Sequence, residues 1–150
     1  MTLLAPGECT LEEAKRPLPL LLKTRLAAEV LATYGRVRWL LARNDLPTTL
    51  DALRGPNGIS APEAGDEELV WEIGQRLGWI TSRTLGPVPG DSRCLMRSLV
   101  LTRLMARRGI PTTLIIGAQT DQGFQAHAWV ERRGLPLLSP GSNYGRLVEL

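Results

Sequence analysis

Histidine is almost missing from this chain: among 150 residues there is one, His127. Cysteine is nearly as scarce, with two, and aromatics make up only 5%. A structural zinc takes four nitrogen or sulfur ligands, so two cysteines and one histidine at distant positions fall short of a site. No metal and no cofactor are expected. Long hydrophobic runs are lacking too. The most apolar stretch, "PLPLLLKTRLAAEVLA", is interrupted by Lys23, Arg25 and Glu29, which excludes a membrane span. The opening "MTLLAPGECTLEEAKRP" has no positive segment leading into an apolar core, so no signal peptide is expected. With Cys9 and Cys94 far apart in different contexts, free thiols in a reducing cytoplasm are the expectation. There is also no Lys/Arg block. The net charge of +3 is spread along the chain, which reads as a solvated basic surface, with neither nucleic acid nor membrane expected as a partner.

What is present suits an ordinary globular protein. Hydrophobic residues make up 43% and charged residues 22%, and 150 residues suit a single domain with a conventional core. Periodicity divides the chain into a helical part, about residues 1–86, and a second part of different character, about 87–150. A long amphipathic helix is predicted from about Leu18 to Ala42, with Leu22, Leu26 and Val30 at helical spacing and Gly35 as a point of kinking or division. A Pro/Gly/Asn-rich stretch follows, holding a short helix around Leu50 to Leu53. "DEELVWEIGQRLGWITSRTL" places Leu69, Ile73, Leu77 and Ile80 on one face, with Asp66 as candidate cap. After the breaker "LGPVPGD" comes "SRCLMRSLVLTRLMARRGIP", a helix whose end is marked by Arg107, Arg108, Gly109 and Pro111. Then come strand candidates "TTLIIGAQ", "FQAHAWVER", "LPLLS" and "YGRLVEL". Helices first and an antiparallel meander afterwards make the fold class α+β, with one helix packed on a small antiparallel sheet.

That helix carries Cys94 in its first turn, behind Asp91 or Ser92 as candidate N-cap. The free N–H groups and positive dipole end of a helix start favour a thiolate, and the same N–H groups can hold an oxyanion. Arg93 and Arg97 add positive charge. A nucleophilic thiol needs a base, and His127 is the one imidazole available. Taken singly, a cysteine in a leucine-rich helix or a histidine in a strand is as readily a packed residue. It is the pair that points to chemistry.

A third group follows from strand register. With Arg133-Gly134 as a tight turn, residue 132 faces 135 and His127 falls opposite about 140, so an orienting group should come from Ser139 or its neighbours. Glu131 shares the His127 face but lies four residues away, roughly 13 Å at strand rise. Ser139, Asn143, Glu131 and Asp121 stay open for the third role. Trp129 reads as core filling beside the cleft, and Gln122 or Gln125 as an oxyanion-hole amide or a surface residue.

"CLMRSLVLTRLMARRGIPTTLIIGAQ" followed by "FQAHAWVERRGLPL" resembles the transglutaminase-like leader peptidases of lasso-peptide biosynthesis. A Cys-Leu-x-Arg-Ser-Leu helix start, an Arg-Arg-Gly-Ile-Pro stop, a Leu-x-Ile-Gly strand and an Ala-His-Ala-Trp-Val-Glu strand occur in that order from about Gly90 onward. The resemblance implies a papain-like thiol hydrolase that removes the leader of a ribosomally made precursor peptide, with Cys94 as nucleophile and His127 as base. It also implies a separate small leader-recognition protein as partner and an ATP-using cyclase that takes the product. Ser139 stands where such proteins usually carry the third-residue Asp. An acyltransferase of transglutaminase type, or a leader-binding scaffold with a decayed site, are the competing readings.

Overall fold

The computed structural model describes residues 19–55, 67–90, 93–121, 123–140 and 144–150. Four helices precede four strands: α1 (Leu20–Leu41), α2 (Leu46–Arg54), α3 (Glu67–Leu85), α4 (Arg93–Ala106), β1 (Thr113–Gln119), β2 (Gln125–Arg132), β3 (Leu135–Pro136) and β4 (Gly145–Glu149). The architecture is α+β, as expected.

The fold is arranged around α4. It touches α1, α2 and α3 on one side and β1 and β2 on the other. A helix enclosed in this way must be apolar nearly all round, and Leu99, Val100, Leu101, Leu104 and Met105 are all buried. Each such leucine contributes about 2 kcal/mol by leaving water. Its end follows the sequence signal closely: Gly109 takes φ 71, and the Ile110 N–H donates to the Met105 carbonyl at 3.0 Å, closing the last turn.

Three helical expectations are corrected. α1 runs unbroken through Gly35. The short helix is longer than its apolar core, because Asp45 accepts from the Thr48 N–H and Pro47 sits in the first turn, starting α2 at Leu46. On α3 the buried stripe is Val70, Gly74, Leu77, Gly78, Thr81 and Leu85, with Ile80 beside it, whereas Leu69 is exposed. The two glycines displace the stripe because the chain after β3 lies directly on them. A Cβ at Gly74 would come within 2.7 Å of Leu137, and one at Gly78 within 2.8 Å of the Leu137 carbonyl oxygen. The candidate caps Asp66, Asp91 and Ser92 lie outside the described residues.

The sheet is antiparallel in the order β3-β2-β1-β4. The β2–β3 turn has both central residues left-handed, Arg133 at φ 50 and Gly134 at φ 77, and it pairs Arg132 with Leu135 as the register argument required. The simple meander is corrected: β4 pairs with β1, not β3. β3 stops at Pro136, which has no N–H to donate, and the chain turns onto α3, so the free edge of β1 takes the last strand.

Candidate active site

Cys94 is the second residue of α4, a partly buried free thiol packed against the core. Its position in the first turn places it among backbone N–H groups without intrahelical acceptors. One turn later the buried Ser98 hydroxyl donates to the Ala128 carbonyl at 3.1 Å. That bond fastens the cysteine's helix to β2 at the residue next to His127.

Cys94 and His127 line one groove of about 380 Å³, together with Ser82, Arg93, Arg97 and Ser139. The structure thus brings together all three residues singled out in the sequence. The contact at residue 139 differs in kind from the expected one. The Ser139 backbone carbonyl, rather than a side-chain group, lies 3.1 Å from His127 Nε2. A carbonyl only accepts, so the contact is a hydrogen bond when Nε2 carries the proton, and neutral imidazole then keeps its lone pair on Nδ1. A bond at Nε2 leaves Nδ1 as the basic atom.

The carbonyl is held by its own segment. Leu137 N–H donates to the Val130 carbonyl at 2.8 Å, continuing the hairpin register, and Gln75 Nε2 donates to the Pro136 carbonyl at 3.3 Å. Leu137 is seated on Gly74 and Gly78 of α3. The wall opposite the imidazole therefore depends on two glycines that carry no chemistry.

Along β2, His127, Trp129 and Glu131 alternate with Ala128 and Val130, which pack into the core. The Trp129 ring stacks on the imidazole at 6.0 Å between centroids, and Tyr144 tilts against it at 5.1 Å. Trp129 is buried, as expected, but it packs across Gly117, where a Cβ would lie 2.8 Å from its ring. Its Nε1–H donates to Glu131 at 2.8 Å, and Arg146 binds both Glu131 oxygens at 2.6 Å. Glu149 and then Glu131, by accepting from Arg146, push its guanidinium pKa upward. Glu131 is thus committed to Trp129 and Arg146 and is not the group that orients His127.

The other open alternatives resolve as follows. Asp121 sits exposed at the β1–β2 turn, beyond the Gln119–Gln125 pair, and does not line the groove. Gln125 does not line it either; its carboxamide oxygen accepts from Gln119 at 2.7 Å and from Tyr144 at 3.4 Å. Cys9, Gln122 and Asn143 lie outside the described residues. Sequence reasoning missed Tyr144, Ser82 and the Ser98–Ala128 bond. Tyr144 and Ser82 join the site only through the fold, while Ser98 was visible in the helix-start motif as a hydroxyl four residues after the cysteine.

Chemically, the groove holds a thiol at a helix start, an imidazole whose Nε2 faces a main-chain acceptor, and N–H donors for a developing oxyanion. This set can pass an acyl group through a thioester. Among the described residues no helix is long and apolar enough to cross a membrane. No curated protein and no solved structure gives a match to the chain. The model of the transglutaminase-like superfamily matches residues 27–149. That span takes in every described helix but the start of α1, and the whole sheet, so the chain belongs to the transglutaminase-like superfamily.

Proposed function

We propose that the protein is a cysteine peptidase that removes the leader from a ribosomally made, lasso-type precursor peptide. The observation that carries this reading is the shared groove of Cys94 and His127, with Nε2 held by the Ser139 carbonyl. The four ordered motif pieces from Cys94 to Glu131 support the precursor class.

His127 Nδ1 takes the thiol proton, and the Cys94 sulfur attacks the carbonyl at the leader–core junction. N–H groups of the first α4 turn stabilise the resulting oxyanion. The imidazolium then returns its proton to the departing amine, which frees the core peptide's N-terminus. Water, deprotonated by Nδ1, hydrolyses the leader thioester. A separate leader-recognition protein supplies affinity for the leader, and an ATP-using cyclase consumes the freed core.

The test is mass spectrometry of a precursor peptide incubated with the protein and its recognition partner. One cut at the leader–core junction is expected, with loss of at least about a thousandfold in rate in Cys94→Ala and His127→Ala at unchanged fold. No cut in the presence of a partner that binds the leader would replace the peptidase by a leader-binding scaffold. A second reading, acyl transfer to an amine, draws on the superfamily itself. Trapping the thioester and offering amines at millimolar concentration separates the two, since a peptidase partitions to water.

A further inference from the structure

Arg97 belongs to the helix-start motif, yet the chemistry above gives it no task. Its Nε is buried and has no hydrogen-bond partner among the described residues. It lines the Cys94 groove and also a second cavity of about 210 Å³ directly beside it. Tyr34 and Arg38 of α1, Leu85 of α3, Val88, and Arg93 and Arg97 of α4 wall this cavity. Three guanidinium groups therefore share one pocket, and no described lining residue carries a carboxylate.

Elsewhere six arginines are neutralised by direct ion pairs. Arg76, Arg107, Arg108, Arg132, Arg133 and Arg146 each lie within 3.4 Å of a glutamate oxygen. Among the described residues Arg38, Arg93 and Arg97 have no such partner; the Arg38 guanidinium carbon lies 5.9 Å from the centre of the Tyr34 ring. Arg38 and Arg93 are exposed and Arg97 is half-buried, so three solvated like charges around one cavity attract an anion, and a guanidinium fork matches a carboxylate with two parallel bonds.

We propose that this cavity is a subsite for a carboxylate of the bound peptide, next to the bond that Cys94 attacks; the inference rests on the peptidase reading for the identity of its occupant. The carboxylate belongs to an acidic side chain or to a free C-terminus of the peptide.

The test measures protection of Cys94 from iodoacetamide, followed at that residue by peptide mapping, so that it does not require turnover. Three acetylated tripeptides are compared: alanine–glutamate–alanine amide, alanine–glutamine–alanine amide, and alanine–glutamine–alanine with a free C-terminus. A carboxylate-bearing peptide should half-protect at a concentration about tenfold lower than the neutral amide, the scale of one charge-assisted hydrogen bond. The preference should vanish in Arg97→Gln and Arg38→Gln and survive in Arg38→Lys. Preference for the glutamate peptide alone assigns a side-chain subsite, and preference for the free terminus alone assigns a terminal one. Equal protection by all three, or a preference that persists in both glutamine variants, overturns the proposal. A chain that prefers the acids yet cleaves no precursor would refute the peptidase reading and leave the subsite standing.

Discussion

The acceptor that faces His127 Nε2 is an atom every residue possesses. A serine at position 139 in place of an acid therefore leaves the imidazole oriented, while removing the charge that would stabilise the imidazolium. Ser139→Ala keeps that carbonyl, and the expected loss in kcat/KM is less than about tenfold, against a near-total loss for Cys94→Ala. A loss as large as that of His127→Ala would show that the side chain, not the main chain, does the orienting. The register argument found the position correctly but not the atom, because spacing along a hairpin locates residues and says nothing of which of their groups faces inward.

At the scale of elements, the groove depends on how closely α3 approaches the chain after β3. Gly78→Ala would set a methyl 2.8 Å from the Leu137 carbonyl oxygen, which is backbone and cannot swing aside. The expected result is a destabilisation of about 1–3 kcal/mol and a fall in kcat larger than the rise in KM, since the carbonyl on His127 moves with the segment. Equal kinetics at lowered thermal stability would confine Gly78 to packing. The same glycines explain what could be read in advance and what could not. The end of α4 was legible because Arg107, Arg108, Gly109 and Pro111 are local signals, and so was the Arg133–Gly134 turn. The buried face of α3 was misread because glycine is silent in a hydrophobic pattern, and a close backbone approach takes the place of a side chain. Leu69 seemed a core residue only because its spacing from Ile73 and Leu77 was helical. β4 itself was legible as a strand, but its partner was not: β1 lies far back in the chain, and no neighbouring residue records that choice.

For the molecule as a whole, acid response has a local component at the α2 cap. By accepting from Thr48, through its side chain first, Asp45 has its carboxyl held below the ordinary value of 3.8. A group with a lowered folded-state pKa stabilises the fold above its ordinary value and loses that contribution as pH falls through the lower one. Asp45→Asn keeps an acceptor for the cap but cannot titrate, so its thermal midpoint should fall less steeply between pH 4 and pH 2, in the range set by that 3.8, than the parent's does. Parallel curves would show that the α2 cap is not coupled to global unfolding. The hairpin that delivers Ser139 has a wider consequence. At position 139 the acceptor is written in chain length rather than in side-chain identity: a main-chain acceptor can be displaced but not replaced. One residue inserted between Gly134 and position 139 should silence cleavage while many single substitutions at 139 are tolerated, and a functional screen of both libraries would reveal an acceptor that survives a change of side chain at its own position but not a change in the count of residues before it.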